Sequence, residues 1–257
     1  MDAIVIAGGI PLPEDPLYPY TLGHAKALLD LAGKPMIQWV LDALSDTAKV
    51  ERVVMIGLTA KVGLQCSKPT YYLQSEGHIL TNLMAGVKKV VELHPQAEHV
   101  LTVSSDIPGI TGEMVDWLIK KTEETPADIT YGVIAREVME KRYPHSRRTW
   151  THLKDMDVCG ADINVMHVSM ATEHLDMWEA LIGNRKSSFK LAALIGYDSL
   201  LQLLFRQLTL EEALERVCSR IGINAQAIVW PWAEAGMDVD KPSQLEIMRE
   251  DLSKKSK

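Results

Sequence analysis

The chain alternates between short, continuously apolar segments and longer segments whose apolar residues recur at helical spacing. After Pro35, for example, apolar residues return with the period of an amphipathic helix. A short continuous apolar run is typical of a strand that is buried on both faces. Strands are predicted at residues 3–7, 52–57, 70–73, 99–104, 128–135, 163–168 and 225–230. This alternation predicts a three-layer α/β/α domain, with a mostly parallel, mixed sheet covered by helices on both faces.

The length of 257 residues suits one large domain, and no internal repeat or low-complexity segment divides it. Two intervals depart from the alternation. Residues 136–162 are charged and irregular, which predicts a loop or a hairpin arm. Residues 172–221 predict a helical insertion near the C-terminus, and the capping-box pair Thr209 and Glu212 begins its last helix. Pro242 is expected in the first turn of a final helix.

The net charge of −7 limits the partners of the protein. Nucleic acids and anionic membranes bind basic surfaces, so neither is expected as a partner. No apolar run approaches the roughly 20 residues of a membrane-spanning helix, and the N-terminal segment is too short and too acidic for a signal peptide. The three cysteines are widely spaced, which argues against a disulfide framework or a zinc site. Free thiols suit a reducing compartment, so we expect a cytoplasmic protein.

The first candidates for chemistry are Gly8 and Gly9, which follow the first predicted strand directly. Glycines let a backbone approach a ligand closely and direct its amide N–H groups at a phosphate or a base. Lys26 follows a proline-rich loop, and its ammonium group is a flexible point charge that suits a triphosphate. Each candidate has a plain alternative: the glycines as a simple turn, and Lys26 as a solvated surface lysine.

Acidic residues occupy two further positions of interest. Asp106 follows the strand predicted at residues 99–104, and open α/β sheets bind ligands at the carboxyl ends of their strands. Asp238 and Asp240 lie two positions apart on an extended segment, so their side chains point the same way. Carboxylates are the ligands that Mg²⁺ prefers. The three residues therefore predict one metal site, with a turn aspartate at position 106 and a helix cap at Asp240 as the alternatives.

The order of these motifs resembles that of one protein family. In chain order they are Ala7-Gly8-Gly9, Lys26-Ala27-Leu28-Leu29, Ala32-Gly33-Lys34-Pro35-Met36, Asp106-Ile107-Pro108 and Asp238-Val239-Asp240-Lys241-Pro242. This order is similar to that of the MobA-like NTP transferases, which include molybdenum-cofactor guanylyltransferases and related cytidylyltransferases. The resemblance covers nearly the whole chain. It implies the Rossmann-like fold of the nucleotide-diphospho-sugar transferases, which is the GT-A type.

The resemblance also implies a reaction and a set of site residues. A nucleoside monophosphate would pass from an NTP to a small phosphorylated acceptor, with release of pyrophosphate. The nucleotide would be bound by Gly8, Gly9, Lys26, Ser75, Gly77 and Asn82, and Mg²⁺ by Asp106, Asp238 and Asp240. Lys26 and Asp106 would be the catalytic residues.

Arg147 and Arg148 lie in the charged interval and are predicted to bind the acceptor. A less characterised branch of the family has a similar arginine pair ahead of a Gly-Gly-Asn, where this chain has Gly160-Ala161-Asp162. A planar guanidinium suits a phosphate better than an ammonium does. The interval is equally compatible with a solvated face or with a subunit contact, which would make the protein a homodimer.

Two other classes of function stay open. Family members commonly have a compact Gly-x-Ser-x-Arg-Met-Gly after the first glycines, whereas residues 9–15 here read Gly-Ile-Pro-Leu-Pro-Glu-Asp and no arginine precedes Lys26. This departure keeps open a non-catalytic nucleotide-binding protein. A metal-dependent glycosyltransferase that uses a nucleotide-sugar shares the sheet and an Asp-x-Asp metal motif. That motif usually falls mid-chain, where this chain has Ser104-Ser105-Asp106.

Overall fold

The computed structural model describes residues 1–173, 202 and 205–255, and a nine-stranded sheet forms its centre. One half of the sheet is parallel. β1 (Asp2–Ile6) lies between β4 (Val53–Ile56) and β6 (His99–Ser104), and β5 (Thr70–Leu73) pairs with β4 at the edge. All four strands were predicted from their apolar runs, with ends that differ by at most a residue.

The other half of the sheet is largely antiparallel, so the sheet as a whole is mixed. β10 (Ile163–His167) runs antiparallel between β6 and β7 (Ile129–Ala135). β9 (Asp157–Gly160) pairs with the end of β7 and forms a hairpin with β8 (Thr151–His152). β11 (Ala225–Val229) runs parallel to β7.

Helices cover both faces of this sheet. The longer ones are α2 (Met36–Asp46), α3 (Ile79–Leu93), α4 (Gly112–Glu124), α5 (Arg136–Arg142), α7 (Leu210–Ile221) and α8 (Pro242–Lys255). The short elements are α1 (Tyr18–Thr21), α6 (Met170–Glu173), the small hairpin of β2 (Asp30–Leu31) with β3 (Lys34–Pro35), and 3-10 turns at Lys26–Leu28, Ala60–Val62 and Ala233–Gly236. Among the described helices, none has the length and apolar character of a membrane span.

Successive side chains of β1 point to opposite faces of the sheet, which explains why helices cover both faces. Ala3 and Val5 are buried in the larger core, which α2 and α4 cover, whereas Ile4 is buried in a second core beneath α3. Since both faces of the strand are covered, every position after Asp2 is apolar, and a continuous run marks the strand in the sequence.

Three helix starts have a clear local cause, and the two predicted above, at Thr209 and Pro242, are confirmed. The Thr111 side chain accepts a hydrogen bond from the backbone N–H of Met114 at the start of α4. Thr209 and Glu212 form a complete capping box at the start of α7, and Pro242 is the first residue of α8. Each cap satisfies backbone groups that the first turn of a helix leaves without a partner.

The interval at residues 136–162 is more regular than its sequence indicates. Its first part is the helix α5, in which Arg136 pairs with Glu140 one turn later. Within the interval, β8 and β9 form a hairpin, and β9 is also a strand of the central sheet. The charges that predicted a loop therefore belong in part to the solvent face of a short helix. Most of the predicted helical insertion at residues 172–221 lies outside the described residues, and α7 is its described end.

Candidate active site

Three segments that are far apart in the sequence meet at the carboxyl ends of β1 and β6. The backbone N–H of Lys26 donates to the carbonyl of Gly9 at 2.9 Å, and the N–H of Val239 donates to the carbonyl of Asp106 at 3.0 Å. A further bond of 3.3 Å joins the N–H of Ser105 to the last residue of β1. The glycine turn, the end of β6 and the segment before α8 therefore lie side by side, at the edge where α/β sheets bind ligands.

The side chain of Lys26 lies between those of Asp106 and Asp240. Its Nζ is 2.5 Å from a carboxylate oxygen of Asp106 and 2.6 Å from one of Asp240. The side chains of Lys26 and Asp106 are 18% and 13% exposed, and that of Asp240 is 56% exposed. Burial by itself lowers the pKa of Lys26, but the two carboxylates outweigh it and raise this pKa above its ordinary value. A permanently charged ammonium group thus joins two of the acids that the sequence predicts for one metal site.

Both aspartates have a second contact, which is made by the carboxylate of Asp106 and by the backbone of Asp240. The hydroxyl of Ser104 donates to the other carboxylate oxygen of Asp106 at 2.5 Å. The backbone N–H of Asp240 donates to the side-chain oxygen of Gln244 at 2.9 Å, which fixes the start of α8. Sequence reasoning missed Ser104 and Gln244 as positioning residues. The sequence indicates their role only through position, because Ser104 lies close to Asp106 in the chain and Gln244 lies close to Asp240.

The two glycines after β1 have different surroundings. A Cβ at Gly8 would lie 3.0 Å from the hydroxyl oxygen of Ser75 and 3.3 Å from the Cα of Gly57. A Cβ at Gly9 would have no atom of the described residues within 4 Å. Gly8 is therefore required by close packing of two backbones, whereas Gly9 leaves open space beside the backbone of Lys26.

Replacement of Gly57 by alanine is expected to destabilise the fold by about 3 kcal/mol or more. Gly57 has a φ of +97°, and a Cβ there would lie only 2.2 Å from the Cα of Gly8. Gly63→Ala is the matched control, because Gly63 has a φ of +77° but no atom within 4 Å of an added Cβ. The control should cost about 1 kcal/mol. Chemical denaturation measures both losses, and equal losses would contradict a tight contact at Gly8.

The residues predicted to contact base and ribose lie in and after the loop that follows β5. Asn82 is 5% exposed, accepts a hydrogen bond from the N–H of Glu76 at 2.7 Å and donates one to the Ser75 hydroxyl at 3.3 Å. Gly77 has a φ of +84° and donates its N–H to the same hydroxyl at 3.3 Å. The structure thus brings Ser75 beside Gly8, but it uses the Asn82 amide to shape the loop.

Asp238 does not join Asp240 at Lys26. Its carboxylate is in ion-pair contact with the guanidinium of Arg148, and both side chains are 13% exposed. Both aspartates flank a residue that is fully buried, Val239. The predicted set of three metal carboxylates is therefore divided, because Asp238 is neutralised by an arginine instead.

The predicted arginine pair is divided as well. Arg148 is half-buried against Asp238, whereas Arg147 is exposed and has a φ of +51°. The ammonium of Lys241 donates to the carbonyl of Arg147 at 3.3 Å, which ties this segment to the start of α8. Of the two arginines, Arg147 is therefore the exposed one.

Asp162 is a residue of the site that sequence reasoning did not assign. β9 and β10 both pair with β7, but in different registers. The change of register between the two pairings produces a bulge at residues 161–164. The Asn164 side chain bridges the gap by accepting the N–H of Gly132 at 2.9 Å. At the bulge the N–H of Asp162 donates to Ala235, and its carbonyl accepts from Ser104, both at 2.9 Å. These bonds set Asp162 between the end of β6 and the segment before α8.

The surroundings of Asp162 perturb its carboxyl group. Burial raises the pKa of Asp162 to about 7, the charges of Asp106 and Asp240 act in the same direction, and Arg148 and Lys26 oppose them. In the sequence, Asp162 stands out only because similar sequences have Gly-Asn where this chain has Ala161-Asp162. The bulge determines whether Asp162 faces solvent or other carboxylates, and no pattern in the sequence predicts the bulge.

Asp106 and Asp240 are the residues that fit a divalent cation. Carboxylate oxygens of both converge on one point, the Nζ of Lys26, and such hard oxygen ligands suit Mg²⁺. Within the described part of the chain, no group of three or more His, Cys, Asp or Glu side chains has the geometry of a metal site. The protein would therefore supply two carboxylates, and Mg²⁺ sites of this kind are completed by waters and substrate phosphates.

Comparisons with known proteins agree with this architecture. The MobA-like NTP transferase domain matches residues 21–213. A hypothetical transferase from Thermus thermophilus has a similar structure, with a TM-score of 0.83 and 32% identity over 95% of this chain and 98% of that chain. CMP:2-keto-3-deoxy-manno-octonic acid synthetase, solved in complex with CTP, has a TM-score of 0.59 and 17% identity over 99% of both chains. The second similarity concerns the fold alone, and it confirms the predicted fold class.

Proposed function

Because the chain belongs to the MobA-like NTP transferase family, we propose that it moves a nucleoside monophosphate from an NTP to a small phosphorylated acceptor and releases pyrophosphate. The observation that carries this proposal is the contact of Lys26 with both Asp106 and Asp240. One lysine and two convergent carboxylates at the carboxyl edge of the sheet supply the two kinds of group that a bound polyphosphate requires. These are a positive charge for the phosphates and oxygen ligands for a cation.

Lys26 and Gly9 form the proposed contact surface for the triphosphate. The Lys26 backbone is bonded to the carbonyl of Gly9, so the charged side chain and the open space above the glycine are neighbours. The raised pKa of Lys26 keeps its amine charged at any physiological pH. A long, flexible side chain of this kind can exchange a carboxylate for a phosphate oxygen with a small movement of its end.

A divalent cation held by Asp106 and Asp240 would offset charge on the phosphates and at the α-phosphorus. The other contributions come from the residues of the chain. Ser104 and Gln244 keep the two aspartates in place through bonds that do not use the oxygens facing Lys26. Lys26 then stabilises the negative charge of the departing pyrophosphate.

The proposed step is an in-line displacement at phosphorus. A bond forms between an acceptor phosphate oxygen and the α-phosphorus, while the bond from the α-phosphorus to the pyrophosphate oxygen breaks. The acceptor oxygen is already anionic, so no residue has to remove a proton. Positioning and charge neutralisation carry such a reaction, and a covalent nucleophile on the protein is not needed.

The test is pyrophosphate release from each of the four NTPs in the presence of Mg²⁺ and a panel of phosphorylated acceptors. Excess chelator is expected to abolish the reaction, because unscreened carboxylates repel a polyphosphate. Full activity in chelator would contradict the role given to Asp106 and Asp240. Release of a nucleoside diphosphate from a nucleotide-sugar would identify a glycosyltransferase instead. Tight NTP binding without turnover on any acceptor would identify a non-catalytic nucleotide-binding protein.

A further inference from the structure

An open cleft of about 530 Å³ lies between α5, the segment after it and α8. This volume is within the range of small-molecule sites. Its lining includes the charged and aromatic residues Arg147, Arg148, Trp150, Glu140, Glu246 and Glu250. The cleft thus presents both signs of charge, unlike a site built for a simple anion.

The two signs of charge are separated along α8. Arg148 pairs with Asp238, and the carbonyl of Arg147 is bonded to Lys241, so both arginines lie at the first turn of this helix. Glu246 and Glu250 follow on later turns of α8 and line the same cleft. At about 1.5 Å per residue, Glu250 is roughly 12 Å further along the axis than the start of the helix.

The cationic end of the cleft borders the candidate active site. Asp238, the ion-pair partner of Arg148, precedes Asp240 by two residues, and Asp240 contacts Lys26. A ligand whose anionic group lies at Arg147 is therefore close to the segment that carries Asp240, because Lys241 donates to the carbonyl of Arg147. The rest of that ligand extends along α8, away from the carboxylates that bind Lys26.

The anionic end has the chemistry of an amine site. Glu246 is exposed and has no ion-pair partner among the described residues. Among the residues that the structure describes, Glu250 pairs with exposed Lys254 and Glu140 pairs with Arg136, each on its own helix. The guanidinium of Arg136, which pairs with Glu140, lies over the ring of Trp150, so these two lining residues already hold a cation of the protein. The glutamates of α8 are therefore the groups left for the ammonium group of a ligand.

We propose that this cleft is the acceptor subsite, and that the acceptor is a zwitterion: a phosphate monoester that also carries a primary or quaternary amine. Its phosphate binds Arg147 at the end nearest Lys26, and its ammonium group binds Glu246 and Glu250. The proposal rests on the proposed function, because it names the substrate class of that reaction. A phosphate without an amine would leave the glutamates of the cleft facing an anion, which is unfavourable.

The test is the binding of matched phosphate esters to the full chain, measured by calorimetry. Phosphoethanolamine and its three- and four-carbon homologues carry an amine, and glycerol 3-phosphate does not. At least one amine-bearing ester is expected to bind about tenfold or more tightly than glycerol 3-phosphate, a difference of about 1.4 kcal/mol. Arg147→Ala should weaken the binding of both kinds of ester.

Variants of the glutamates separate the amine site from general electrostatics. Glu246→Gln combined with Glu250→Gln should remove the preference for the amine and leave glycerol 3-phosphate binding nearly unchanged. Glu137→Gln is the matched control, since Glu137 is also exposed, lies on α5 and does not line the cleft. A thermal melt of each variant verifies that it is folded.

The proposal is overturned if amine-bearing and amine-free esters bind equally, or if the preference survives the double glutamate variant. Absence of binding by any of the esters counts against it in the same way. Failure of the proposed function has a different signature, because pyrophosphate release would then be absent while the amine preference in binding persists.

Discussion

Asp106→Asn is expected to lower the rate of pyrophosphate release by about 100-fold or more while leaving the fold intact. The variant removes one negative charge from the pair of carboxylates that contacts Lys26, and losses of metal-site groups typically cost on the order of 10- to 100-fold. Asparagine has the shape of aspartate, and the backbone carbonyl of residue 106 still accepts the bond from Val239. A thermal melt and a rate measurement on one preparation separate the two effects.

The matched control is Asp42→Asn. Asp42 also pairs with a lysine, Lys34, but on the surface of α2 and away from the carboxyl edge of the sheet. Its loss should leave the rate unchanged and alter the free energy of unfolding by at most about 1 kcal/mol, as for exposed ion pairs in general. If Asp106→Asn were as active as Asp42→Asn, Asp106 would have no part in the reaction.

Lys26→Met is expected to have two opposite effects. The rate of pyrophosphate release should fall by about 100-fold or more, because the leaving group loses its counter-charge. The affinity for Mn²⁺ in the absence of nucleotide should rise about tenfold, because the ammonium group no longer competes for the oxygens of Asp106 and Asp240. Methionine keeps the length of the side chain and removes its charge, so the change is chiefly electrostatic.

Calorimetry with Mn²⁺ alone measures the second effect without any turnover. Lys34→Met is the control, since it removes a lysine that pairs with a carboxylate outside the site. Weaker Mn²⁺ binding by Lys26→Met than by Lys34→Met would show that the lysine supports the cation, and the competition inferred from the contacts would be wrong.

The strands of the parallel half were predicted from short runs of apolar and β-favouring residues. β5 and β6 have the predicted ends, because each run stops where the residues no longer favour a strand. Helix starts were readable for a local reason as well: Thr209 and Glu212 satisfy each other within one turn. Features that depend on a few neighbouring residues are therefore the ones that the sequence predicts.

Contacts between distant residues were not readable in this way. The period of an extended strand gives the direction of Asp238 and Asp240, but it does not say that the first meets Arg148 and the second Lys26. The place of Asp162 depends on a bulge whose position is set by Asn164 and Gly132 in different strands. Such partners are chosen by the packed fold, so the sequence predicted the acids of the site but not all of their pairings.

The bond between Lys26 and Asp240 joins residues that are 214 positions apart. During synthesis, therefore, the glycine turn and the end of β6 leave the ribosome long before the segment that completes the pair of carboxylates. At about 5–20 residues per second, the wait is on the order of ten seconds or more. An unfinished chain, or a fragment cut ahead of residue 238, would keep most of the sheet and lack one of the two acids that face Lys26. The proposed pair of carboxylates at Lys26 is thus assembled only after residue 240 has been synthesised.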